Sequence, residues 1–266
     1  MPTELPRPRL LGPRRVLGFG ALTLLIASFP LFPARADAVG QSWSIVTTPN
    51  PGIIRDELQD VSCSSATSCM AVGSYDDGVR GATLTLQLDG TSWTTIASPN
   101  AGNSENNLAS VSCTSTSFCM AVGEYDDGSR PATLTMRWNG ATWTILPSPN
   151  IGIGRNTLFA VSCTSSTMCT AVGTYNDGFR EATLILNWNG TTWTTVSSPN
   201  SGNLDNNLTS VSCTSATFCT AVGRVNDGSR YLTLVLQWNG TTWSVVASPN
   251  SGSDPNALAS VSCVGS

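Results

Sequence analysis

The chain has 266 residues, 40% hydrophobic and only 11% charged, with 17 acids against 13 basic residues, all of them Arg. With no His and no Lys there is no Ser-His-Asp triad, no Cys-His nucleophile pair, no H-E-x-x-H zinc site and no Schiff-base lysine. A formal charge of −4 argues against nucleic acid as a partner, and carboxylate chemistry of the glycosidase kind is the catalysis that survives.

The first 38 residues read as a secretory signal peptide. Arg7, Arg9, Arg14 and Arg15 form a basic lead, an apolar stretch follows over 16–32, and Ala34-Arg35-Ala36 and Ala36-Asp37-Ala38 offer small-residue cleavage sites. Gly18, Gly20 and Pro30 interrupt the apolar run, which falls short of the roughly 20 residues a membrane span needs. Arg14-Arg15 leaves twin-arginine export as a second route. Cleavage after Ala38 leaves 228 residues with 8 Arg and 15 acids, a formal charge of −7. The expected product is secreted and extracellular, repelled by nucleic acid and anionic membranes, with no second apolar segment to hold it in a bilayer.

From there a unit of 50 residues tiles the chain: Val-Ser-Cys begins at Val61, Val111, Val161, Val211 and Val261. A fixed period of that length is the mark of a propeller blade, one supersecondary unit that buries its apolar face on its neighbours. The spacing predicts an all-β fold, a β-propeller of four-stranded antiparallel blades over 39–266, with complete blades at 59–98, 109–148, 159–198 and 209–248. In the second unit, 108–113 and 118–125 are apolar runs flanking a Ser/Thr turn, and Asp126-Asp127-Gly128 turns the chain into the alternating run 132–138. Asn139-Gly140 then leads into 143–146, and Ser148-Pro149-Asn150 ends the strand. A polar connection such as 100–107 joins one unit to the next.

Eight of the nine cysteines stand six residues apart, as Cys63/Cys69, Cys113/Cys119, Cys163/Cys169 and Cys213/Cys219. One at each edge of the first hairpin turn can staple it, so a disulfide ladder is expected. Zinc is the rival, but C-x5-C is not the usual ligand spacing and no His completes a mixed site. Neither a metal nor a cofactor is expected.

The ends of the array are incomplete. A lone fourth strand is expected at 43–47 and a lone first strand at 258–263, where Cys263 has no partner six residues on. Three closures stay open: truncation relative to a larger ring, which is preferred, a poor fifth blade, or completion by assembly through the partial blade or through Cys263.

The strings Val-Ser-Cys-Thr-Ser-x-x-x-Cys-x-Ala-Val-Gly, Trp-Asn-Gly-Thr-Thr-Trp and Ala-Ser-Pro-Asn resemble the repeats of secreted actinobacterial β-propeller proteins of unknown function. That resemblance implies export and a propeller, and no established activity. The period is also similar to that of kelch-type repeats. Gly140-Ala141-Thr142-Trp143, Gly190 to Trp193 and Gly240 to Trp243 resemble the latter half of the Asp-box S-x-D-x-G-x-T-W of sialidases. The Asp due two places before Gly is instead Leu88, Trp138, Trp188 or Trp238, with Asp89, Asn139, Asn189 or Asn239 one place later.

Three constellations bear on function. The Trp pairs, such as Trp138 and Trp143, lie on one sheet face and suit either sugar stacking or the filling of gaps between blades. The turn Asp-Asp-Gly-x-Arg, with Asn first in the last two units, places Asp77, Arg80, Asp127, Arg130, Asp177, Arg180, Asp227 and Arg230 on the face that also carries the connections. An arginine grip on acidic sugars, calcium on the Asp pair, and local Asp–Arg pairing are its three readings. Finally, unit-specific residues break the repeat: Arg55, Glu105, Arg155 and Asp205 alternate in the connections, and Glu124, Glu181, Arg224 and Tyr231 occur once each. The expected function is non-catalytic, a binding or structural role toward surface carbohydrate or protein. A sialidase-like glycoside hydrolase using Glu124 and Glu181 is the alternative.

Overall fold

A computed structural model describes residues 45–265. The expected leader, and Trp43 and Ser44 of the expected lone fourth strand, lie outside the described residues. Sixteen strands form four separate four-stranded antiparallel sheets, each in sequence order. The first holds β1 (Asp56–Ser65), β2 (Ser68–Asp76), β3 (Gly81–Asp89) and β4 (Ser92–Thr95), and the second β5 (Asn106–Ser115), β6 (Phe118–Asp126), β7 (Pro131–Trp138) and β8 (Trp143–Leu146). The third holds β9 (Asn156–Ser165), β10 (Met168–Asn176), β11 (Glu181–Trp188) and β12 (Trp193–Thr195), and the fourth β13 (Asn206–Ser215), β14 (Phe218–Asn226), β15 (Tyr231–Trp238) and β16 (Trp243–Val246). No helix occurs among the described residues.

Each sheet docks flank to flank on the next, first strand beside first strand in the series β1, β5, β9, β13. The core therefore lies between blades. At the first junction Met70 and Val72 meet Leu108, Val111, Ala121, Leu134, Met136 and Trp143. The next two repeat the scheme, with Met120 and Val122 on Leu158, Val161 and Trp193, then Val172 and Ile185 on Leu208, Val211 and Trp243. This is the radial packing of a β-propeller, a fold whose blades leave only short edges exposed. Both flanks of a middle blade are covered, which is why β6, β7, β10 and β11 read as runs of Ala, Val, Leu and Thr without a polar face.

The repeated motifs are the fastenings of this array. Cys63↔Cys69, Cys113↔Cys119, Cys163↔Cys169 and Cys213↔Cys219 are directly opposed strand partners, and all four disulfides are formed within their own hairpins. At the first Cys of the second, third and fourth blades the backbone N–H points away from its hairpin toward the preceding blade, where a serine hydroxyl accepts it. Cys113 N–H donates to Ser62 Oγ at 2.9 Å, Cys163 N–H to Ser112 Oγ at 3.0 Å and Cys213 N–H to Ser162 Oγ at 3.0 Å. The Val-Ser-Cys triplet thus supplies an apolar contact, an acceptor for the next blade and half a staple.

Ala-Val-Gly has an equally local cause. The first strand carries a bulge two residues before its Val-Ser-Cys, between the partners Leu58 and Asp60 in the first blade. The bulge drives the backbone onto the glycine opposite, so that a Cβ on Gly173 would sit 1.9 Å from the Thr157 carbonyl oxygen. Ser-Pro-Asn seals the exit of the blade: Thr83 N–H donates to Asn100 Oδ1 at 2.8 Å, and Thr83 and Ser98 share a hydroxyl bond of 2.8 Å, both repeated in the other three units.

The Trp hairpin is a four-residue loop. Trp138↔Trp143, Trp188↔Trp193 and Trp238↔Trp243 are direct partners with ring centroids 5.7 Å apart. Asn139 Oδ1 accepts the N–H of Ala141 and of Thr142 at 2.9 and 2.8 Å, so the amide one place after the Asp-box position closes the turn. Trp138, Trp143, Trp188, Trp193 and Trp243 are buried in the junctions, which removes sugar stacking as their role.

Two expectations about the ends are corrected. Residues 45–50 form no strand. Residues 258–263 form no strand either, yet they lie along β13 as a first strand would: Val261 N–H donates to Ser210 Oγ at 3.2 Å and Cys263 N–H to Ser212 Oγ at 3.0 Å. Among the described residues no strand pairs with this segment in a ladder. Cys263 is a free, half-buried thiol.

Candidate functional site

The turn from second to third strand and the connection between blades share one face. Asp76 N–H donates to the Arg55 carbonyl and Ile53 N–H to the Asp76 carbonyl, at 2.9 and 3.0 Å. The disulfide and Trp turns share the opposite face, where Trp138 Nε1–H donates to the Thr116 carbonyl at 3.1 Å.

The eight Asp and Arg residues of the turns all have internal partners. Asp77 Oδ1 accepts the N–H of Val79 and Arg80 at 2.8 and 2.9 Å, and Asp127, Asp177 and Asp227 do the same one, two and three blades on. These amides hold Asp77, Asp177 and Asp227 below the ordinary carboxylate range; at Asp127 the Ser129 hydroxyl contributes most and the amides follow. Each arginine reaches to the next connection. Arg80 Nη1 donates to the Gly102 carbonyl at 2.7 Å, Arg130 Nη1 to those of Gly152 and Gly154 at 3.1 Å, Arg180 Nη1 to Gly202 at 2.6 Å, and Arg230 Nη1 to Gly252. Asp caps its own turn and Arg ties that turn to the following loop.

The alternation in the connections has a backbone cause. Glu105 Oε2 accepts the N–H of Gly81, and Asp205 Oδ1 that of Glu181, each at 3.0 Å. The corresponding residue of the second blade is Pro131, which has no N–H to offer. The next connection carries Arg155 in place of an acid. Its guanidinium lies 3.4 Å from Glu124, which also accepts the Thr157 hydroxyl at 2.5 Å. Arg55 pairs with Glu57 of its own blade.

Four of the residues that depart from symmetry, Arg55, Glu57, Glu105 and Glu124, meet at the first junction. A cleft of about 570 Å³ opens on the turn face between the first and second blades. Arg55, Glu57, Tyr75, Arg80, Glu105, Asn107 and Glu124 line it. Of the eight turn residues only Arg80 does so, and Glu181 does not, so the structure does not bring the two expected catalytic carboxylates together there. Glu57, Tyr75 and Asn107 were missed by sequence reasoning. Glu57 was findable, since the other units place Asn107, Thr157 and Asn207 at its position. Arg224 stacks over the Tyr231 ring at 4.3 Å, away from this cleft.

The turn face also carries apolar tips. Ile53, Ile54 and Val79 in the first blade, and Ile153 and Phe179 in the third, are 75–99% exposed. The second and fourth blades carry Asn103, Ser129, Asn203 and Ser229 at matching positions, with Leu204 the apolar exception.

No family model matches this chain, and no curated protein does. Among solved structures it is similar to YCF48 bound to D1 peptide, at 14% identity and a TM-score of 0.48, covering 77% of this chain and 56% of that one. It is also similar to Sqt1 from Chaetomium thermophilum, at 14% identity and a TM-score of 0.34, covering 75% and 62%. A GH74 xyloglucanase from Xanthomonas campestris matches at 11% identity and a TM-score of 0.31, covering 73% and 37%. The chain thus spans less than two thirds of each of these structures. At these scores the likenesses say nothing of a ligand or an activity, and the propeller fold rests on the chain's own sheets and junctions.

Proposed function

We propose that this protein is an exported, non-catalytic β-propeller that binds carbohydrate in the cleft between its first two blades. The observation that carries the reading is the cleft's lining: planar polar side chains with one aromatic ring in about 570 Å³, a volume typical of small-molecule sites. Carboxylates and guanidinium groups pair with vicinal hydroxyls, and Tyr75 offers a ring for a sugar face. Export is supported by the four disulfides, which persist in oxidising compartments.

Hydrolysis would need a carboxylic acid held protonated near neutral pH. Glu57 is pushed the other way, below the ordinary range, by its hydrogen bond from Arg55. Glu105 accepts a backbone amide, and Glu124 accepts a hydroxyl beside Arg155. An ionised Glu57 suits binding rather than proton donation.

The exposed tips Ile53, Ile54, Val79, Ile153 and Phe179 favour a second reading, a protein ligand on the turn face. A glycan array followed by hydrolysis assays on every hit separates the readings. Carbohydrate binding without turnover, weakened at least tenfold by Arg55→Ala or Glu57→Gln and unchanged by Phe179→Ser, is expected. Turnover of a bound glycan overturns the non-catalytic assignment. Absence of glycan binding, together with apolar-peptide binding lost in Ile153→Ser/Phe179→Ser, transfers the site to the tips.

A further inference from the structure

The first blade is covered on one flank and open on the other along its first strand, where the contrast with its siblings is large, while Ala71, Leu84 and Leu86 behind that strand are buried. Leu58 is 44% exposed, whereas Leu108, Leu158 and Leu208 are 0% exposed. Val61 is 54% exposed against 4, 6 and 7% for Val111, Val161 and Val211. Trp93 is only half-buried, and a depression of about 380 Å³ lies among Leu58, Val61, Ala71 and Trp93. The Cys63 N–H has no serine acceptor among the described residues, although its four counterparts each have one.

At the other end of the array the fourth blade presents the complementary flank. Ser212 offers the hydroxyl acceptor used at every interior junction and Ser210 the one that Ser110 offers at the second, and residues 258–263 occupy both. Thr209 Oγ1–H also donates to the Leu258 carbonyl at 2.7 Å. This single segment covers the flank incompletely: Val235 stays half-buried where Thr85, Thr135 and Ile185 are 0–1% exposed. The segment reads Leu258-Ala-Ser-Val-Ser-Cys263, and β1 carries the near-identical Leu58-Gln-Asp-Val-Ser-Cys63.

We propose that the open flank of the first blade docks on the fourth blade of a second copy of this chain, taking the place of residues 258–263. The junction continues an interface the molecule already makes three times. The Cys63 N–H meets Ser212 as the resident segment's Cys263 does, Leu58 and Val61 take the places of Leu258 and Val261, and β4 adds the half-buried Trp93, which that segment lacks. The contact is heterologous, one flank against a different flank, so copies close into a ring or extend head to tail. The resident segment competes because its attachment to β13 is intramolecular and its local concentration is high. It therefore sets the concentration at which copies join. This contact is separate from the cleft and stands or falls independently of the ligand.

Sedimentation equilibrium of the purified protein over a wide concentration range tests it. Leu58 and Val61 are exposed, so Leu58→Asp/Val61→Asp leaves the fold intact, and this variant should remain monomeric at every concentration. Deletion of 258–266, or Val261→Asp in the full chain where the deletion fails to fold, should tighten association at least tenfold. Faster alkylation of Cys263 in the associated state is also expected, since its segment has left β13. Monomers in both the wild-type and the released variants overturn the proposal, and so does association that survives Leu58→Asp/Val61→Asp.

Discussion

Replacing Gly173 by Ala should be among the most damaging single-methyl changes in this protein. A Cβ there would stand 1.9 Å from the Thr157 carbonyl oxygen and 2.9 Å from Leu158 Cα, both backbone atoms that no rotamer can clear. Ordinary contact begins near 3.4 Å, so β9 and β10 must separate by roughly 1.5 Å at the bulge. Overpacking of this kind costs about 1–3 kcal/mol, and each ladder hydrogen bond stretched in the process about 0.5–1.5 kcal/mol more. Alanine returns about 0.5–1 kcal/mol by stiffening the unfolded chain. The net loss should be about 3 kcal/mol, a fall in Tm of roughly 6–12 °C for a domain of this size. Gly128→Ala is the matched control. It has open space around it and a φ of +93°, so its cost is the left-handed backbone alone, about 1–2 kcal/mol. Thermal unfolding followed by calorimetry and by tryptophan fluorescence would compare the two. A Gly173→Ala protein as stable as wild type would refute the close approach, and with it the bulge that positions the first strand.

Other expectations concern the fastenings. Cys163→Ser/Cys169→Ser should cost about 2 kcal/mol on the chain-entropy account of a short loop, and non-reducing peptide maps of the wild type should show only the four links within hairpins. Ser162→Ala strands the Cys213 N–H at a junction and should cost about 1–3 kcal/mol in urea unfolding, more than Ser→Ala at the exposed Ser129. Asp77, Asp127, Asp177 and Asp227 are all depressed in the folded protein. Their contribution is therefore full above the unfolded carboxylate value of about 3.9 and is lost as pH falls through the lower folded values. The four-fold Asp→Asn variant should flatten the acid limb of Tm against pH, and an unchanged limb would remove the turn amides as its cause.

The sequence made the repeat, the hairpin order and the four staples readable because each rests on neighbours within one unit. Cysteines six apart across a Ser/Thr turn have few other places to go. The first strands begin earlier than the apolar pattern indicates. Asp56 and Glu57 look like the end of a polar connection, but they pair with Tyr75 and Ser74 in the ladder. The hydroxyl bonds between blades join residues about fifty apart, and no local pattern announces them. The alternation of Glu105 and Asp205 with Arg155 was visible as a pattern. The backbone donors that Glu105 and Asp205 cap, and the proline without a donor at position 131 before Arg155, became clear only when the turn and the next connection were seen side by side. The Asp–Arg turns drew attention through recurrence. Recurrence proved the mark of a fastening, and the cleft is built instead from residues such as Glu57 and Glu124 that occur once.

Amide hydrogen exchange resolved at single residues, on dilute protein, tests the radial docking of blades most directly. The N–H groups of Cys113, Cys163, Cys213 and Cys263 each end on a serine of the preceding unit, whereas that of Cys63 has no such partner among the described residues. Slow exchange at Cys113, Cys163 and Cys213, intermediate exchange at Cys263 and fast exchange at Cys63 is the predicted order. Equal exchange at Cys63 and at the three interior cysteines would contradict a structure in which each blade is fastened to the one before it.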